Sequence, residues 1–171
     1  MSISEDLYEQ LINPIKDRMM RTVARLVRDP DDAADAFQNA LVLIWDKLPV
    51  IHRHPQPHAY ILRICINASY DILRRRSRIR KREISEEGRE GTVISPAESG
   101  RALISSETKQ LILSAIAGLP AKQGQAVFLR IIEEESYEFI AGALGCGEAA
   151  VRSHVSKGLT RLRKTLKQVL G

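Results

Sequence analysis

Residues Ser136 to Lys164 read SYEFIAGALGCGEAAVRSHVSKGLTRLRK, and their spacing sets the fold class. Ser136 is a good N-cap in front of an apolar-periodic run, so a short helix is expected over Tyr137 to Leu144. Ala141 is small and lets a second helix approach the first, and Gly145 suits a turn that needs a left-handed backbone. Val151 can plug the gap between the two helices, with Ile140, Leu144, Val155, Leu159 and Leu162 extending the same core. The opposite face of the last helix, Glu148 to Val169, carries Ala149, Ser153, Ser156, Lys157, Thr160, Lys164 and Lys167, flanked by Arg152 and Arg161. A helix entering the major groove of DNA needs small residues for close approach and donors for base edges and phosphates. The pattern is that of a helix-turn-helix. On spacing alone, a solvated amphipathic helix in an ordinary bundle satisfies it too.

Upstream, two further helices are expected over Glu107 to Ala117 and Ala121 to Glu134, separated by Gly118-Leu119-Pro120. The run Glu133 to Glu135 reads as a solvated helix end, with contact to an activator protein as the sharper alternative. Before these, Glu83 to Ile104 holds Gly88, Gly91, Pro96 and Gly100 among serines and glutamates, with little hydrophobic periodicity. It reads as a flexible linker, and about 20 extended residues reach on the order of 70 Å.

The first half has helical apolar spacing at Leu7, Leu11, Ile15, Met19, Val23, Leu26 and Val27, broken near Asn13 by Pro14. Asp29 can cap a new helix with Pro30 in its first position and Asp31 and Asp32 at the positive end of its dipole. That helix is expected to run to about Leu48, before Pro49, with a loop over Val50 to Pro57. A third long helix is expected from Pro57 past Arg76, with Ile61, Ile64, Cys65, Ala68 and Ile72 facing the core. It continues into RRRSRIRKR, Arg74 to Arg82, where seven of nine residues are basic. Most such runs are solvated helix ends; on a rigid helix the same charges make a phosphate-facing cluster.

The aromatic share is only 5%, so aliphatic side chains fill the core, which suits long helical faces. Net charge is +5 and the pI about 9.4, which favours a polyanionic partner. The longest apolar run, Ala40 to Trp45, is far short of a bilayer span, and Ser2 to Gln10 is polar and acidic, so a soluble intracellular chain without a leader is expected. Cys65 and Cys146 show no metal or redox spacing and read as buried free thiols. His52, His54 and His58 share a loop with two prolines and lack rigid ligand spacing, so no metal is expected. Asp35 and Asp71 have no partner histidine or phosphate-cradling glycine loop, so neither an enzyme site nor a cofactor is expected.

Both halves resemble the extracytoplasmic-function group of sigma factors in the sigma-70 family. The motifs that carry the resemblance are DPDDAADAFQNALVLIW from Asp29, AYILRICINASYDILRR from Ala59, and LPAKQGQAVFLRIIEEESYEFIAGALGCGEAAVRSHVSKGLTRLRK from Leu119. The resemblance implies an all-α protein of two small helical domains joined by a flexible linker. Residues 1–83 would form a three- or four-helix region 2, 84–106 the linker, and 107–171 a four-helix region 4 with the helix-turn-helix. It implies that Asp35, Gln38, Asn39, Leu41 and Trp45 dock on the clamp helices of the polymerase β′ subunit, and that region 4 meets the β flap. It implies −10 strand binding by the Ile51 to His58 loop, with His58, Arg63 and Asn67, and phosphate contacts from Arg74, Arg75 and Arg76. Recognition of the −35 element would fall to Ala149, Arg152, Ser153, Ser156, Lys157 and Arg161. RNA polymerase core, promoter DNA and an anti-sigma factor are the implied partners, in the cytoplasm, with no membrane insertion and no catalysis. The sequence departs from the family pattern at Asn39 (usually Glu), Tyr60 (often Trp), Gly147 (usually a Ser or Thr cap) and His154 (commonly Arg). The rival readings are a one-component regulator that senses a ligand through its first half, and an adaptor that binds polymerase without starting transcription.

Overall fold

The computed structural model describes residues 2–87 and 101–171, with side chains described for 2–86 and 106–171. Regular structure among these residues is entirely helical. The first half comprises α1 (Ile3–Ile12), α2 (Lys16–Leu26), α3 (Pro30–Asp46), α4 (Leu48–Arg53) and α5 (Pro57–Glu87). The second comprises α6 (Arg101–Ala117), α7 (Ala121–Val127), a π-helical turn (Phe128–Ile132), α8 (Tyr137–Leu144) and α9 (Glu148–Leu170).

Local chemistry sets most of these boundaries. Ser2 and Glu5 form a capping box on α1: Ser2 Oγ accepts from the Glu5 N–H at 3.3 Å, and the Glu5 carboxylate accepts from the Ser2 N–H at 2.6 Å. Asp29 caps α3 by accepting from the Asp32 N–H at 2.9 Å, with Pro30 opening the helix. Ser136 caps α8 by accepting from the Phe139 N–H at 3.1 Å. Gly145 ends α8 in the left-handed region at φ 65°, as the turn requires. Gly147 gives α9 no side-chain cap.

Five expectations are corrected. Pro49 does not end α3, which stops at Asp46; it sits in the first turn of α4, where its missing N–H leaves no bond unmade. The expected loop over Val50 to Pro57 is therefore partly helix, with Leu48 and Ile51 buried. The single helix expected over Ala121 to Glu134 instead gives way at Phe128 to a π turn, closed by the Glu133 N–H on the Phe128 carbonyl at 3.1 Å. Glu134 follows with φ 56°, left-handed despite its side chain. Cys65 is buried, and burial pushes its thiol up to about 12, but Cys146 is only partly buried. The expected linker is entered from both ends, since α5 continues to Glu87 and α6 begins at Arg101; residues 88–100 lie outside the described ones.

One continuous core runs through both halves. In the first, α5 packs on α2, α3 and α4; in the second, α9 packs on α6, α7 and α8. Gly158 permits the close approach of α9 to α7, since a Cβ there would stand 2.6 Å from Val127 Cγ2. The halves meet where α5 packs against α8. The middle of α5 is apolar nearly all round, with Ala59, Ile61, Leu62, Ile64, Cys65, Ile66, Ala68, Tyr70 and Ile72 all buried, because it is covered on both sides.

Candidate functional site

The helix-turn-helix presents its outer face to solvent. Val151, Val155, Gly158 and Leu162 are buried on one side of α9, whereas Ala149, Arg152, Ser153, Ser156, Lys157 and Arg161 are all exposed. His154 is half-buried. The Arg152 guanidinium lies 4.7 Å from the centroid of the Tyr137 ring, and Arg130 lies 4.3 Å from the same ring. Sequence reasoning missed Tyr137, which limits the rotamers open to Arg152 by a cation–π contact. Its position directly after the Ser136 cap was the available signal.

On α3, Asp35, Gln38, Asn39 and Trp45 are exposed along one stripe, and Leu41 is half-buried at its edge. Val42 lies in the middle of this stripe and is 59% exposed, an apolar centre that a search for charges passed over. Trp45 is 45% exposed, its ring edge-on to Tyr8 at 5.4 Å. Burial raises the Tyr8 hydroxyl pKa above its ordinary value. A shallow groove beside Trp45, about 460 Å³, is lined by Leu7, Leu48, Pro49, His52 and Arg53 among others.

The strand-binding candidates on α5 lie elsewhere than on an open surface. His58 is half-buried in the first turn. Arg63 donates from Nη1 to the Ala143 carbonyl of α8 at 3.3 Å, and Asn67 Oδ1 accepts from the buried Gln125 side chain of α7. Both are half-buried against the second half. Farther along, Arg74, Arg75 and Arg76 are exposed but not equivalent. Arg74 Nη1 lies 3.4 Å from the Asp71 carboxylate. Arg76 forks onto Asp32 of α3, with Nε and Nη2 donating to the two carboxylate oxygens at 2.9 and 2.6 Å. The hydrogen bonds from Arg76 hold the Asp32 carboxyl below its ordinary range, and Asp32 raises Arg76 in return. Arg75 carries no such partner among the described residues.

The run Glu133 to Glu135 is not a solvated helix end. The Glu133 side chain is 7% exposed and accepts from Arg25 Nη1 at 2.8 Å, while Glu135 pairs with Arg18. No described helix is long and apolar enough to cross a membrane, and the described residues contain no group of three or more potential metal ligands.

Residues 11–79 match the family model for sigma-70 region 2, and residues 109–162 match that for sigma-70 region 4. The chain is 31% identical over 159 residues to the RNA polymerase sigma-E factor of Streptomyces coelicolor, covering 93% of this chain and 85% of the relative. It is 22% identical to the ECF RNA polymerase sigma factor SigW of Bacillus subtilis, with 96% and 91% covered. Among solved structures it resembles the sigma factor RpoE of Bartonella quintana in complex with the anti-sigma factor NepR, at 26% identity, a TM-score of 0.53 and coverage of 94% and 96%. It shares its fold with CnrH, solved with the cytosolic domain of CnrY, at 17% identity and a TM-score of 0.54 over 94% of this chain and 88% of that one. The two matched regions fall on the two helical halves in the order the motifs predict, and the chain belongs to the extracytoplasmic-function sigma factors of the sigma-70 family.

Proposed function

We propose that this sigma factor, which directs RNA polymerase to specific promoters and supports initiation, divides its work among three surfaces. The α3 stripe of Asp35, Gln38, Asn39 and Trp45, with Leu41 at its edge and Val42 at its centre, docks on the β′ clamp helices. The first half of α5 reads the unpaired −10 strand through His58, Arg63 and Asn67, and its basic end holds phosphates, chiefly through Arg75. Binding to the open strand captures promoter melting, so the chain needs no catalytic group of its own. The outer face of α9 reads the −35 element through Arg152, Ser153, Ser156, Lys157 and Arg161, with Ala149 giving close approach. Region 2 comprises residues 1–83 and region 4 residues 107–171, the latter meeting the β flap, with 84–106 as the tether. The work is cytoplasmic, where polymerase and promoter are found. RpoE of Bartonella quintana was solved with an anti-sigma factor, and we propose that this chain takes one as well.

The observation that carries this reading is the one-sidedness of α9: Ala149, Arg152, Ser153, Ser156, Lys157 and Arg161 are exposed, while Val151, Val155 and Leu162 are buried on the opposite side. The test is run-off transcription on fragmented genomic DNA with purified core polymerase. Core plus this chain initiates at discrete sites, and core alone does not. Arg152→Ala weakens −35 binding by about 1–3 kcal/mol and leaves core binding intact. Asp35→Ala with Gln38→Ala does the reverse in a core pull-down. Loss of core binding by the Arg152 change contradicts the assignment.

A further inference from the structure

The basic end of α5 has two faces. At about 3.6 residues per turn, Arg75, Arg78 and Arg82 fall together on one side, whereas Arg76 and Arg80 fall on the other with Leu73, Ser77 and Glu83. A nucleic-acid strand held by Arg75 meets the first face and leaves the second to other work. The second face looks onto the C-terminal end of α6, and a groove of about 640 Å³ lies between them.

This groove joins an apolar wall to a cationic rim. Leu73 and Ala117 are half-buried in it, and Ile79 beside them is 40% exposed. Ser77 and Ser114 add hydroxyls, and Arg74, Arg76 and Arg80 line the rim. The three arginines differ in how far they are already satisfied. Arg76 is held by the Asp32 fork. Arg74 has only the 3.4 Å contact with Asp71 and lies 5.9 Å from the centroid of the Tyr70 ring. Arg80 makes no ion pair among the described residues, although it stands one turn from Arg76, a spacing at which like charges repel. Glu83 is the one acid lining the groove, against three guanidiniums. The end of α6 is blunted as a negative pole. The Gly118 N–H donates to the Ser114 and Ala115 carbonyls at 3.2 Å each, and the Leu119 N–H donates to the Ile116 carbonyl at 3.1 Å.

We infer that the groove is a binding site for a nucleoside polyphosphate, with the phosphates on Arg80 and Arg74 and the base against Leu73, Ile79 and Ala117. Guanidinium forks match phosphate oxygens, and the flat face of a base covers an apolar wall. The volume falls within the roughly 300–1,000 Å³ of small-molecule sites. A bare phosphate leaves the wall uncovered, and an uncharged apolar molecule leaves Arg80 without a partner.

The test is equilibrium dialysis of the full chain, at about 0.15 M salt to screen loose attraction, against labelled ATP, adenosine and tripolyphosphate. Circular dichroism confirms that each variant remains helical. ATP binds at one saturable site, and adenosine and tripolyphosphate bind at least about 10-fold more weakly, because each uses one part of the groove. Arg80→Ala weakens ATP binding by about 10-fold or more. Arg78→Ala removes an equal charge from the opposite face and changes it by less than about 2-fold. Ile79→Ser weakens ATP by about 5-fold and leaves tripolyphosphate unchanged. Absence of saturable ATP binding up to about 1 mM overturns the site. Equal weakening by Arg78→Ala and Arg80→Ala overturns it too, since that is general attraction to a basic helix. Tripolyphosphate binding as tightly as ATP overturns the seat for the base.

Discussion

At Gly145 the requirement is purely one of backbone. A Cβ there would meet nothing within 4 Å, yet φ is 65°. Gly145→Ala is therefore expected to destabilise by about 1–2 kcal/mol, measured by urea unfolding, from the left-handed conformation alone. Asp32 shows a different residue-scale effect. Its carboxyl is held below the ordinary range by the hydrogen bonds from Arg76, so the charged form favours the folded state. That stabilisation is complete above the unfolded value of about 3.9 and disappears as pH falls through the lower folded value. Asp32→Asn should lower the thermal midpoint at pH 7, and that difference should shrink as pH falls below the unfolded value of about 3.9. Tyr137 is expected to act through Arg152. Tyr137→Ala should weaken −35 binding in a wild-type background and have a much smaller effect in an Arg152→Ala background, a coupling that a double-mutant cycle on promoter binding reads directly.

Among the elements, α5 was the one read least completely. The stripe Ile61, Ile64, Cys65, Ala68 and Ile72 was legible because it repeats at helical spacing, and all five are buried. The second stripe, Arg63, Ile66, Asn67 and Tyr70, was equally present in the sequence, but only Arg63 and Asn67 were singled out, as strand-binding residues, and their contacts with the second half were not foreseen. Caps were the most readable features: Asp29, Ser136 and Gly145 act as their chemistry dictates. The π turn was invisible, since no residue in FLRII distinguishes a five-residue from a four-residue hydrogen-bond step. The α9 face was read correctly as exposed, whereas the pairing of Glu133 with Arg25, 108 positions apart, could not be seen in local spacing. At this scale, Ile61→Ala should destabilise by about 2–5 kcal/mol and Arg78→Ala by less than about 0.5 kcal/mol in the same unfolding assay, because one side chain is fully buried and the other exposed.

For the whole molecule, charge is allotted by surface more than by total. The net +5 spreads over the arginines of α2, the basic end of α5 and the outer face of α9, and only part of it is free for nucleic acid. Each phosphate contact releases counterions, so Arg75→Ala in the holoenzyme should reduce the slope of log promoter affinity against log salt by about 1. Arg76 is already committed to Asp32. Its fork grips both oxygens of one carboxylate, which a lysine ammonium cannot do. The rod that would hold the promoter is thus riveted to the opening turn of the rod that would hold the enzyme, so on the proposed assignment a pull on the DNA would reach the polymerase through this one fork.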